Sequence, residues 1–172
     1  MKLALLNLKD AAELLKFERE NREWFERFIP PREVGFYTLS GVQQHIREFL
    51  LDYHCGEMLP LLIKTDQGEI IGRVNVTNMS SNSCNAHLGY RVGQSSVNQG
   101  VAKWAVGQVP SLLRKHNISQ LYAYAQTTNL ASQKVLQASG FVFTKRVDNF
   151  AQLHGKPINC YEYRLKLREV KR

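Results

Sequence analysis

The sequence predicts one α/β (α+β) domain: a mixed, mostly antiparallel sheet of about seven strands flanked by four helices. Three observations predict it. Between Met58 and Val92, three strand-like runs are separated by turn residues, as in consecutive antiparallel strands. From Leu88 to Val106, LGYRVGQSSVNQGVAKWAV, an alternating run enters a polar turn and leaves it with helical spacing. Beyond Leu121, strand-like and helix-like runs alternate again. The 172 residues, 44% of them hydrophobic, can bury one core.

Residues 2–8, KLALLNL, read as a short strand. Asp10 is a plausible N-cap for a helix over Ala11 to Phe28, whose apolar residues Leu14, Leu15, Phe17, Trp24, Phe25 and Phe28 recur near helical spacing. Pro30 and Pro31 stop it. Ser40 and Gln43 match a capping box for a second helix running to about Tyr53. Met58 to Ile63 and Ile70 to Met79 form strands around a turn at Asp66-Gln67-Gly68, and SSNS at 80–83 leads into a strand over Ala86 to Val92. The helix after Gln99 contains Pro110, which removes the hydrogen bond to the Val106 carbonyl and should kink it. Leu121 to Ala125 is a strand, and Leu130 to Ser139 a helix closed by Gly140 and Phe141. Phe141 to Val147 and Asn159 to Leu167 complete the sheet through a turn at His154-Gly155.

No apolar run reaches the length of a membrane span, and Asp10 and Glu13 follow the apolar start too closely for a signal peptide. The expected location is cytoplasmic, with no membrane partner. Cys55, Cys84 and Cys160 stand far apart with no paired spacing, so neither a disulfide framework nor a metal site is expected, and each reads as a small buried hydrophobe. The net charge is +8, and the last nine residues, RLKLREVKR, contribute five Lys/Arg against one Glu. That tail is either a solvated end or an attraction for anions: cofactor phosphates, an acidic surface or RNA. None of the usual nucleic-acid modules is present.

The Leu88–Val106 junction suits phosphate. The first amides of a helix lack intrahelical partners, the helix dipole adds positive charge there, and Gly100 lets a ligand approach the backbone. An ordinary strand-to-helix turn has the same pattern. Neither G-x-x-x-x-G-K-[ST] nor G-x-G-x-x-G occurs, which argues against a P-loop nucleotidase and a dinucleotide-binding turn.

Three stretches together resemble the GCN5-related N-acetyltransferase (GNAT) superfamily, above all its branch that acetylates the N-terminal alanine of ribosomal proteins. ENREWFERFIPPRE at 20–33 is similar to that branch's first helix and loop. AHLGYRVGQSSVNQGVAKWAV at 86–106 is similar to its fourth strand, phosphate loop and third helix. NLASQKVLQASGF at 129–141 matches N-x-x-S-x-x-V-L-x-x-x-G-F. The phosphate loop departs from the family's Q/R-x-x-G-x-G/A: Gly100 and Ala102 are kept, but Val97 takes the polar first position, and Asn98 stands where an extra glycine is common. Asn tolerates left-handed backbone better than other non-glycine residues.

The resemblance implies a single acetyltransferase domain over 1–172, with strands 4 and 5 splayed around acetyl-CoA and coenzyme A as product. Backbone groups of Tyr90, Arg91 and Val92 would pair with the pantetheine. The amides of Asn98, Gln99, Gly100, Val101, Ala102 and Lys103 would hold the pyrophosphate. Asn129 would bond the pantetheine, and Ser132 would supply the departing sulfur with a proton or a bridging water. His87, where relatives often carry Glu, is the candidate base, with Glu57 and Glu162 behind it. Asn21, Arg22, Trp24, Phe36 and Tyr37 are candidates for the acceptor side. The implied partner is a protein N-terminus, with a ribosomal protein foremost. Nucleic acid is not directly required, and a homodimer is left open. The alternatives are acetylation of a small-molecule amine, or a non-catalytic acyl-CoA- or RNA-associated module.

Overall fold

The computed structural model describes residues 1–79 and 84–167. Among these residues, seven strands form one sheet in the order β1-β2-β3-β4-β5-β7-β6. They are β1 (Lys2–Leu5), β2 (Met58–Lys64), β3 (Ile70–Thr77), β4 (Asn85–Val92), β5 (Gln120–Gln126), β6 (Val142–Leu153) and β7 (Lys156–Lys166). Every neighbouring pair is antiparallel except β4 and β5, which are parallel. The expected seven-strand sheet is therefore present. The SSNS turn and residues 168–172 of the basic tail lie outside the described residues.

Among the described residues, five helices accompany the sheet rather than the expected four: α1 (Ala11–Glu20), α2 (Arg22–Glu26), α3 (Leu39–His54), α4 (Val101–Leu112) and α5 (Leu130–Ala138). The extra break falls at Asn21, which leaves helical geometry at φ −106° and ψ 9°. Its Nδ2 donates to the Phe17 carbonyl, and its Oδ1 accepts the Gln94 amide at 2.8 Å. Two expected caps also move. Asn7, not Asp10, caps the first turn, and Asp10 pairs with Lys64. Thr38, not Ser40, caps α3, accepting the Gly41 amide at 3.0 Å from an extended backbone. Pro110 lies in the last turn of α4, which passes into a 3-10 turn at Leu113–Lys115. After α5, Gly140 adopts φ +86°, and the Phe141 amide returns to the Leu136 carbonyl at 3.0 Å, a left-handed helix stop.

The sheet has apolar clusters on both faces. Strand β2, MLPLLIK, is buried almost throughout, as a strand covered on both sides must be. On one face Leu62 and Ile70 pack with Leu14 and Phe17 of α1 and with Val42 and Ile46 of α3. On the other, Val74, Val76, Leu88, Leu121 and Ala123 pack with Ala105, Val109 and Leu113 from the α4 side and Leu136 of α5. Cys160 is buried as expected, but Cys55, at the exposed end of α3, and Cys84, just before β4, are exposed. Among the described residues, no helix is long and apolar enough to cross a membrane.

A buried charge cluster locks α1 to β3 and β4. Arg73 and Arg91 are register partners on adjacent strands, and both bond Glu18 Oε1, with Arg73 at 2.9 Å. Arg73 and Glu18 are each only 2% exposed at the side chain. The other arm of Arg73 donates to His45 Nε2 at 2.9 Å, so that nitrogen carries a lone pair. Burial, then the charges of Arg73, Arg32 and Arg91, push the His45 pKa down to about 3.

Removing one member of a buried pair strands the other. Glu18→Gln is expected to cost about 3–5 kcal/mol in urea unfolding. His45 adds a pH dependence. The unfolded imidazole titrates near 6.5, whereas the folded one stays neutral down to about 3. Between those values the unfolded chain binds more protons, so stability falls as the pH drops through the window. The urea midpoint of His45→Gln should therefore decline less than wild type between pH 7 and pH 4.

Candidate active site

The site begins where β4 and β5 part. They pair only from Asn85↔Gln120 to Leu88↔Ala123. Beyond that rung, β4 continues to Val92 against β3, and β5 to Gln126 against β7. The parted edges expose main-chain groups that must find partners. Two do so through side chains: Trp24 Nε1 donates to the Val92 carbonyl at 3.2 Å, and Gln133 Nε2 to the Gln126 carbonyl at 3.1 Å.

A groove of about 630 Å³ occupies the opening. One wall comes from Tyr90, Arg91 and Val92, its end from Ser96 to Asn98 and Gly100 to Lys103, and the opposite wall from Asn129, Ser132, Lys134 and Val135. Trp24, Phe25, Phe28 and Ile29 supply an apolar flank. At the end, Asn98 has φ +60° and Gly100 φ +76°, so the sequence-predicted left-handed asparagine is present. The Trp104 amide is bonded to the Gly100 carbonyl at 2.9 Å, while those of Val101, Ala102 and Lys103 come before any carbonyl one turn back. This twelve-residue helix thus directs unbonded amides and its positive end toward the groove. An apolar channel ending in an amide cradle fits a long thioester carrier with a diphosphate.

Across the groove, Tyr90 Oη lies 2.9 Å from Ser132 Oγ and donates to the Ser132 carbonyl at 3.2 Å. Burial pushes the Tyr90 hydroxyl up to about 12, only partly offset by the Ser132 bond, so it remains protonated. Asn129 Oδ1 caps α5 through the Ser132 amide at 3.1 Å, which leaves Nδ2 as its donor for a ligand.

Strand alternation puts His87 on the other side of the sheet from Tyr90. There it lines a second cavity of about 410 Å³ with Asn78, Asn85, Tyr122, Tyr124, Lys145 and Glu162. Its ring centroid lies 6.0 Å from that of Tyr122 and 5.8 Å from that of Tyr124. Glu57 is exposed at the approach to β2.

The acceptor candidates do not gather in one place. Trp24 borders the groove, whereas Asn21 is buried with its amide bonded to Phe17 and Gln94. Arg22 pairs with Glu26 and lies 4.6 Å above the Tyr37 ring. Phe36 packs edge-on to His45 beneath Arg32. Sequence reasoning missed Phe25, Phe28 and Ile29 as groove wall. It also missed the Tyr122–Tyr124 face, although QLYAYAQ alternates and could have shown it.

A family model for an acetyltransferase (GNAT) domain matches residues 1–142. The chain is similar to a probable N-acetyltransferase, YjcK, of Bacillus subtilis strain 168: 26% identical over 144 residues, covering 79% of this chain and 77% of that protein. Its fold matches the ribosomal-protein-S5-alanine acetyltransferase of Vibrio fischeri at TM-score 0.92 and 20% identity, covering 99% of this chain and 94% of the other. It also matches the microcin C7 self-immunity acetyltransferase MccE, solved with acetyl-CoA and AMP, at TM-score 0.87 and 20% identity, covering 95% and 91%.

The left-handed turn yields a stability test. A Cβ on Gly100 would meet nothing within 4 Å, so Gly100→Ala introduces backbone strain without a clash. It should cost about 1–2 kcal/mol in urea unfolding, whereas Asn98→Gly should leave stability within about 1 kcal/mol of wild type.

Proposed function

The chain belongs to the GNAT acetyltransferase family, and on that premise we propose that it acetylates the N-terminal α-amine of a protein, a ribosomal protein with an N-terminal alanine being the foremost candidate. The observation that carries this reading is the parting of β4 and β5, which opens the sheet between the Ser132 side and the His87 side. Acetyl-CoA is the donor and supplies a thioester carbonyl open to attack by a neutral amine.

In this reading the whole chain, 1–172, works as one acetyltransferase domain. The amides from Asn98 to Lys103 hold the pyrophosphate. The free edge of Tyr90, Arg91 and Val92 pairs with the pantetheine, which also takes a hydrogen bond from Asn129 Nδ2. Main-chain N–H groups on β4 orient and polarise the carbonyl. His87 accepts the proton from the acceptor ammonium. Ser132 Oγ gives its proton to the departing sulfur and takes one back from solvent, relayed by the hydroxyl of Tyr90 at 2.9 Å, which ends the cycle protonated as it began. No acyl-enzyme is formed.

Magnitudes favour an α-amine. With a pKa near 8 it is about a tenth neutral at pH 7, whereas a lysine near 10.4 is neutral below about one part in a thousand. A single imidazole suffices for the first and serves the second poorly.

Purified protein should acetylate an alanine-initiating peptide faster than an internal lysine in the same peptide, measured by mass spectrometry. A preference for the lysine would overturn the proposal. Ser132→Ala should lower kcat by roughly a hundredfold while coenzyme A affinity stays within about twofold. Unchanged turnover would remove Ser132 from the chemistry.

A further inference from the structure

The end of β4 and the turn after it are gripped from one side by the junction of α1 and α2. Consecutive residues there meet different partners. The Val92 carbonyl accepts from Trp24 Nε1, and the Gln94 amide donates to Asn21 Oδ1 at 2.8 Å. Between them, a Cβ on Gly93 would lie 3.1 Å from both Asn21 Oδ1 and the Phe17 ring, so the backbone runs tight against these side chains. Asn21 is itself anchored. It is buried, and its Nδ2 donates to the Phe17 carbonyl at 2.9 Å.

From Gln94 the hold passes along the turn. The Ser96 amide returns to the Gly93 carbonyl at 2.9 Å, and Gln99 Nε2 reaches back to the Ser95 carbonyl at 2.8 Å. Ser96, Val97 and Asn98 line the end of the groove within this braced stretch, and the left-handed Gly100 follows it directly.

We propose that Asn21 is a positioning residue for the donor, holding the turn after β4 so that the amides from Asn98 to Lys103 stand ready for the diphosphate, with the Gln99 side chain as a second brace. The inference rests on the diphosphate seat of the acetyl-transfer reading and is independent of the acceptor. A carboxamide meets both demands at position 21 at once: an oxygen for the Gln94 amide and an N–H for the Phe17 carbonyl. Aspartate would lack the donor, and alanine would lack both. A seat held in shape beforehand avoids the loss of loop freedom that weakens binding to a slack turn. The effect is confined to one end of the ligand. The pantetheine edge of Tyr90, Arg91 and Val92 is held by its register partners Val74, Arg73 and Gly72 on β3, whatever stands at position 21.

The test compares coenzyme A with pantetheine, which lacks the diphosphate, in the whole chain. Calorimetry reads the first and NMR titration the second. Asn21→Ala should weaken coenzyme A at least tenfold, while pantetheine changes less than twofold. Gln99→Met, made at an exposed side chain, should weaken coenzyme A a few-fold with the same selectivity, and decides the matter if Asn21→Ala does not fold. Unchanged coenzyme A affinity in either variant, or equal weakening of both ligands, would overturn the proposal. Equal affinity of the wild type for both ligands would overturn it together with the diphosphate seat. Acetyl transfer to peptides is scored separately. A wild type that acetylates no N-terminus sinks the acceptor reading, and the selective loss of coenzyme A binding still upholds this one.

Discussion

Everything about the site follows from a parallel ladder that stops early. Strands β4 and β5 hold together as far as Leu88 and Ala123 and then diverge, although both continue for several residues. Separation is costly because each freed edge carries polar main-chain groups. It persists because β3 and β7 secure the outer edges, while Trp24 and Gln133 reach in to satisfy one carbonyl on each strand. The opening is thus a built feature with side chains assigned to its upkeep, and remaining donors and acceptors along β4 are available to a ligand.

The elements around the opening are tied to it from a distance. Asn21 interrupts the first helical stretch and fastens the break to the Gln94 amide at the start of the turn that follows β4. Glu18 joins α1 to both arginines of the β3–β4 pair. A carboxylate shared between guanidiniums in a desolvated setting fixes the position of α1 more tightly than apolar packing alone, which tolerates sliding. The flank formed by Trp24, Phe25 and Phe28 therefore has a defined distance from the strands it faces.

Most of the architecture was legible in the sequence because it depends on short-range pattern. Alternation marked the strands, the N-x-x-S-x-x-V-L-x-x-x-G-F run marked α5 with its stop, and the asparagine in place of a loop glycine correctly indicated left-handed backbone at Asn98. What escaped depends on partners far along the chain. The break at Asn21 answers to an amide 73 residues away. Thr38 and Ser40 both make good caps, and only the extended backbone at Thr38 decides between them. Strand β6 runs to Leu153, past its expected end at Val147, because two register irregularities let it keep pairing with β7. Tyr122 and Tyr124 carried a visible alternation, but nothing local indicated that the surface they face lines a cavity.

The two cavities open on opposite sides of one extended strand, with His87 directed to one and Tyr90 to the other. In such a strand, sidedness is a matter of parity. Exchanging one residue for another leaves the assignment of sides intact, while adding or deleting a single position between Leu88 and Tyr90 would turn one of them to the wrong side. That segment can vary in composition but not in length.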